Sequence, residues 1–145
     1  MGDRQIVYSS LATKKMLKSD LYVILRQARL NNEKSGVTGI LIFSDGHFFQ
    51  VLEGKENIVA DLYKKISADK RHSDIQLLLE DELENRTFPN WGMAYATPSA
   101  REIANWAGLR NAITLDDTLN LLCSEKDRVR NLLLKLLENP AMIET

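Results

Sequence analysis

The chain has 145 residues, with 19 Lys+Arg against 20 Asp+Glu, 44% hydrophobic and 27% charged, the profile of one globular unit with no room for a second full domain. A net charge of −1 leaves no basic excess for a phosphate backbone, so a nucleic-acid partner is not expected; the single cysteine cannot form an internal disulfide, and with two histidines it falls short of a structural zinc site, so no metal is expected either. No charged start with a long apolar run stands at the amino terminus and no apolar stretch nears the roughly 20 residues of a bilayer span, which predicts a cytoplasmic protein without a membrane anchor.

Ile6, Val7 and Tyr8 within Gln5 to Ser9 predict a short first strand, followed by Ser10 and Thr13 as turn residues. Ser19 can cap a helix whose Leu21, Ile24, Leu25 and Ala28 fall at i, i+3, i+4 and i+7, and which ends near Asn31-Asn32 and Gly36. Val37 to Phe43 and His47 to Glu53 flank Ser44-Asp45-Gly46, which predicts a hairpin. Ile58, Val59, Leu62 and Ile66 lie along one face of a second helix over Asn57 to Ser67. Ile75 to Leu79 predicts a fourth strand that continues into a charged stretch through Glu84, and Trp91 to Tyr95 predicts a fifth after Pro89.

The order β-α-β-β-α-β-β favours an α+β, ferredoxin-like arrangement: a mixed five-stranded sheet with both helices on one face. Past Thr97 the composition changes. Ser99 with Glu102, Thr114 with Asp117 and Ser124 with Asp127 are capping-box patterns, each ahead of a helical apolar stripe. The expected division is residues 1–97 for the α/β unit and 98–145 for a helical extension. That extension can cover the sheet's second face or bind a partner, and the pattern leaves both open.

Several polar residues stand where apolar ones belong. Gln50 shares a strand face with Phe48 and Leu52, while Phe49 and Val51 occupy the other, so both faces are apolar and Gln50 is expected to be a buried amide. An unpaired buried amide costs about 1–3 kcal/mol, so it needs a partner: protein, water or ligand. Tyr8 becomes its neighbour if the first and third strands pair, and a buried phenol also seeks a partner. Asn31 and Asn32 either terminate the first helix or present a donor and an acceptor to the edge of a uracil-like heterocycle. Trp91 and Met93, two apart on a predicted strand, are expected to share a face. Asp69-Lys70-Arg71-His72 reads as a solvated charge run or a hand for phosphate. Dinucleotide, Walker and zinc-protease motifs are absent.

With Tyr8, Asn31-Asn32, Gly36-Val-Thr-Gly-Ile-Leu, Phe48-Phe-Gln-Val-Leu-Glu-Gly, Asp69-Lys-Arg-His and Phe88-Pro-Asn-Trp-Gly-Met in order, the chain resembles the BLUF family, blue-light receptors that use flavin. The resemblance covers Arg4 to about Tyr95, and the tail is similar to the helical extension of short, stand-alone members. It implies a flavin between the two helices, FAD first with FMN or riboflavin as alternatives, its ring edge bonded by Asn32 and its N5/O4 region by Gln50. It further implies that Tyr8 bonds Gln50, that Ile24 and Ile66 sandwich the ring, and that Asn31 is a neighbouring polar contact. Lys65, Asp69, Arg71 and His72 fall where sugar and phosphate are held, and Trp91 and Met93 match the pair that exchanges near Gln50. Ala28 departs from the family, where serine is frequent, and so lacks a hydroxyl near the ring.

The residues suit a photochemical switch. A tyrosine of ordinary pKa near 10 can lose an electron with its proton if Gln50 relays that proton, and the amide is then left rotated or tautomerised. The resemblance thus implies a non-enzymatic blue-light sensor, with the strand of Trp91 and Met93 leading to the tail. It also implies a homo-oligomer and a downstream signalling partner, response-regulator-like in short relatives. The competing readings are a flavin- or nucleotide-dependent enzyme on the same fold and a ferredoxin-like RNA-binding module; the latter lacks the aromatic sheet motif it would use.

Overall fold

A computed structural model describes residues 2–109 and 114–145. The chain runs β1 (Asp3–Ala12), α1 (Lys18–Ser35), β2 (Thr38–Ser44), β3 (His47–Gly54), α2 (Glu56–Ser67), β4 (His72–Leu83), β5 (Ala94–Ala96), α3 (Ala100–Trp106), α4 (Leu115–Ser124) and α5 (Lys126–Leu137), ending in a 3₁₀ turn, Pro140–Met142. The strands form one sheet in the order β4-β1-β3-β2-β5. β1 lies antiparallel to both β3 and β4, β2 is antiparallel to β3, and β5 joins β2 in parallel. The expected mixed five-stranded α+β sheet is what forms.

The β2–β3 hairpin turns through Asp45 and Gly46, both at positive φ (47° and 76°), the backbone of a two-residue primed turn that matches strand twist. At Gly39 a Cβ would stand 1.8 Å from the Val51 carbonyl oxygen, so only glycine lets β2 approach β3 there. With this hairpin set, β1 pairs with β3 so that Tyr8 stands opposite Gln50.

Alternation along the strands feeds two separate cores. Ile6, Tyr8, Leu41, Phe48 and Leu52 turn toward α1 and α2, where Leu21, Leu25 and Val59 meet them. Val7, Ile40, Ile42, Phe49 and Val51 turn the other way, onto Ile103, Leu115, Leu119, Leu122, Val129, Leu132, Leu133 and Leu136 of the tail helices. The tail therefore covers the sheet's second face. At about 1.5–3 kcal/mol for each fully buried large aliphatic, this docking is a major share of the fold's cohesion before ordering entropy is subtracted.

Four local expectations need correction. Helix α1 starts at Lys18, and its first backbone group is held by Asp20, whose carboxylate accepts from the Leu17 N–H at 2.9 Å; Ser19 is already inside the helix. The helix ends at Gly36, as expected, with that glycine in the left-handed position, but Asn31 and Asn32 lie within the helix and do not terminate it. Capping boxes form at Ser99–Glu102 and Thr114–Asp117 but not at Ser124, which donates back to the Leu121 carbonyl and closes α4, leaving Glu125 ahead of α5. Finally, β4 runs through the charged stretch to Leu83 as expected but already begins at His72, whereas β5 is only Ala94–Ala96 and not Trp91–Tyr95.

That last difference separates Trp91 from Met93. The chain bends at 92–93 before entering β5, so the two-residue period does not apply across them. Met93 belongs to the core under α1 and α2, while Trp91 packs against the core on the tail side and stacks on Phe88, with ring centroids 5.3 Å apart. The expectation that they share a face is incorrect.

Candidate functional site

Where α1 and α2 diverge above the sheet, they leave a cleft of about 220 Å3. Ile24 and Ala28 of α1 line one wall, Leu62 and Ile66 of α2 the other, and Leu41, Phe48 and Leu52 of the sheet also line it. These are consequences of periodicity, which puts residues three or four apart on one helix face and residues two apart on one strand face.

The sheet brings polar groups into this apolar space. Tyr8 and Gln50 are 3% and 5% exposed, and the Tyr8 hydroxyl donates to Oε1 of Gln50. The other end of that amide, Nε2, faces the Met93 sulfur at 3.5 Å. Burial pushes the Tyr8 phenol well above its ordinary pKa, with Tyr63 and Asp69 adding to the effect, so the phenol keeps its proton. The Tyr63 ring lies 5.6 Å from it, centroid to centroid.

Asn32 of α1, also buried, donates from Nδ2 to the Gly92 carbonyl at 2.9 Å, and Arg29 donates from Nε to the Met93 carbonyl at the same distance. Helix α1 thus grips the chain just ahead of β5. Asn31, one residue earlier, is exposed and lies on the cleft wall.

At the mouth stand Lys65, Asp69 and Arg71. Arg71 closes on the Asp69 carboxylate and extends Nη1 to Oε1 of Gln27 at 3.2 Å, so its fork already joins the two sides of the cleft. The Arg71 hydrogen bonds hold the Asp69 carboxyl below its usual range, and Asp69 in turn raises Arg71. His72 lines the cleft with both ring nitrogens engaged: one meets the Ser10 hydroxyl at 2.7 Å, the other the Ile66 carbonyl at the end of α2.

The structure therefore gathers Tyr8, Ile24, Asn31, Asn32, Gln50, Lys65, Ile66, Asp69, Arg71 and His72 around one cleft, with Met93 behind Gln50. Trp91 is not among them. Three residues with a hand in this arrangement went unnoticed in the sequence: Arg29, Gln27 and Glu53. Only Glu53 carried a signal, being a carboxylate beside Leu52 and Val51 on a largely apolar strand. Among the described residues no group of His, Cys, Asp and Glu is arranged to hold a metal, and no helix is long and apolar enough to cross a membrane.

The donor set fits a flat heterocycle with a polar edge. Aliphatic side chains oppose each other from two helices, two carboxamides stand at the buried end, and the tail of such a ligand would leave past a lysine. The family described as sensors of blue-light using FAD matches residues 4–94. The beta subunit of the photoactivated adenylate cyclase of Euglena gracilis is 37% identical over 93 residues, which is 63% of this chain and 11% of that protein. The blue light- and temperature-regulated antirepressor BluF of Escherichia coli is 47% identical over 66 residues, 46% of this chain and 16% of that one. The chain thus spans a small fraction of these relatives' length. Among solved structures, the photo-activated state of BlsA superposes with a TM-score of 0.79 at 29% identity, covering 93% of this chain and 94% of its own. The chain belongs to the BLUF family, the blue-light sensors that bind flavin.

Proposed function

We propose that Tyr8 and Gln50 are the switch of this sensor. The observation that carries the reading is the hydrogen bond from the Tyr8 hydroxyl to the Gln50 amide, made at the buried end of the cleft with Met93 on the amide's far side. Bound flavin supplies the absorption of blue light and a strong photo-oxidant. Asn32 and Gln50 would hold its polar edge, Ile24 and Ile66 its faces, Asn31 a nearby polar contact, and Lys65, Asp69, Arg71 and His72 its sugar and phosphate side, with FAD ahead of FMN or riboflavin.

Tyr8 would give up an electron to that photo-oxidant together with its phenolic proton and take both back at the end of the cycle, and Gln50, already hydrogen-bonded to that oxygen, is the group positioned to carry the proton. Because the amide offers a donor at one end and an acceptor at the other, it can return in a rotated or tautomeric form. Two hydrogen-bond patterns of similar energy in a closed pocket make a bistable element. The amide's contact with Met93 couples it to β5, and β5 leads into the extension over residues 98–145. Trp91, behind the sheet, acts by holding the 88–93 segment and not by touching Gln50.

The chain itself turns over no substrate in this reading. Its output is a changed contact with a partner protein in the cytoplasm, made by a homo-oligomer. The engagement of the two histidines supports this: both His72 nitrogens are taken, and His47 is paired with Asp116 on the other side of the sheet. Oxidation of NAD(P)H by the pure protein would favour the flavin-enzyme reading instead.

The decisive measurement is the visible spectrum of the flavin-loaded protein before and after blue light. The wild type should show a reversible shift to the red, while Tyr8→Phe and Gln50→Leu should each retain flavin and lose the shift. A normal photocycle in either variant overturns the assignment.

A further inference from the structure

The connection from β4 to β5, residues 84–93, has no helix or strand of its own, yet it passes from one edge of the sheet to the other. It is held at each strand end it crosses. Arg86 pairs with Asp3 of β1 at 2.6 Å and donates to the Gly36 carbonyl and to the Thr38 hydroxyl beside β2. The Gly39 N–H donates to the Trp91 carbonyl at 2.8 Å, and Asn32 and Arg29 take the carbonyls of Gly92 and Met93.

Midway, at the end of β3, stands Glu53. Its side chain is wholly buried, 0% exposed, and three donors meet its carboxylate. The Phe88 N–H donates to Oε1 at 2.7 Å, the Thr87 N–H to Oε2 at 3.1 Å, and Gln5 donates from Nε2 to Oε2 at 2.7 Å. Successive backbone groups of the crossing segment are thereby fixed to one carboxylate, and Phe88 passes that constraint to Trp91 through their stacked rings. Glu53 lies three residues beyond Gln50 on the same strand. One strand therefore carries both the amide and the anchor of the segment that delivers a sulfur to that amide.

We propose that Glu53 is a positioning residue of the switch: by gripping the Thr87 and Phe88 backbone it sets Met93 against Gln50, and so sets how long the light-adapted arrangement persists. This rests on the Tyr8–Gln50 reading above. Glu53 touches neither the cleft nor the phenol, and acts only through the segment it holds. Glu53→Gln keeps the volume but replaces one acceptor oxygen by a donor, leaving one of the three donors without a partner. With Met93 less firmly placed, the barrier between the two amide arrangements falls.

The experiment is a double-mutant cycle on the flavin-loaded full chain, read as the rate of thermal return after blue light. Glu53→Gln should bind flavin and return at least about threefold faster than wild type. In a Met93→Ala background, where no sulfur is left to place, adding Glu53→Gln should leave the rate unchanged. A wild-type rate in Glu53→Gln, or equal acceleration in both backgrounds, overturns the proposal; the second result would assign Glu53 a merely structural role. Gln5→Met, which keeps the carboxylate and its two backbone bonds, should give a smaller acceleration that also vanishes with Met93→Ala. If Glu53→Gln does not fold, an unchanged rate in Gln5→Met overturns the proposal by itself. Absence of any red shift in the wild type defeats the underlying switch reading, whereas a normal shift with unaltered return in the variants defeats this inference alone.

Discussion

The two faces of the sheet begin from similar strands and end in different chemistry. On the tail side Val7, Ile40, Ile42, Phe49 and Val51 meet three helices, of which α4 and α5 are rich in leucine while α3 supplies Ile103, and apolar side chains fill the space. On the other side Tyr8 and Gln50 interrupt the pattern, and α1 and α2 part to leave a cleft lined by Ile24, Ala28, Leu62 and Ile66. One face has been given to cohesion and the other to recognition. A polar pair is tolerated in the second because each member satisfies the other, and because the cleft leaves the remaining amide capacity for a ligand.

Truncation on the closed face should therefore act on stability, and truncation on the open face on the ligand. Leu132→Ala, at a position 1% exposed, should destabilise by about 2–5 kcal/mol in urea unfolding while leaving the flavin spectrum of the folded fraction unaltered. A spectral shift equal to that of a cleft variant would break the distinction. Asn32→Ala should weaken flavin binding by about tenfold, since it removes one buried polar contact worth about 1–2 kcal/mol, and fluorescence titration measures it. Retention of full affinity would remove Asn32 from the ring edge.

A smaller effect tests the buried phenol. An ordinary tyrosine ionises near pH 10, but burial raises Tyr8 above that in the folded chain. Its contribution to stability is thus fully present below about pH 10 and is lost as pH climbs further, because the unfolded chain releases a proton that the folded chain retains. Urea midpoints measured on either side of that pH should fall more steeply for the wild type than for Tyr8→Phe. Equal slopes would mean the phenol titrates normally.

Much of this division can be read from residue order. Alternation around Gln50 assigned its face, the spacing of Ile24 and Ala28 marked the helix wall, and the Ser44-Asp45-Gly46 turn marked the hairpin. What stays hidden is what local pattern does not encode. An amphipathic helix looks the same whether it covers its own sheet or a partner, so only the packed structure shows that Leu119, Leu122 and Leu132 share one core with Val7 and Phe49. Trp91 and Met93 were separated by a bend that neither residue announces. The Ser124 box failed because a serine at the junction of two helices can serve the one that ends as well as the one that begins. Arg29 and Gln27 act through long side chains whose targets are 64 and 44 residues distant in sequence.

The sheet also carries a consequence for how copies of this chain can meet. Beyond β5, Tyr95 exchanges backbone hydrogen bonds with Glu144 at 2.7 Å, so that border is already occupied by the chain's own terminal residues. The opposite border is β4, whose pairing with β1 is irregular in two places and which exposes Asp74, Glu80 and Glu82. A second molecule aligned there would set like charges side by side on a kinked template. Strand-to-strand propagation, the usual seed of fibrils, is thereby discouraged at both margins.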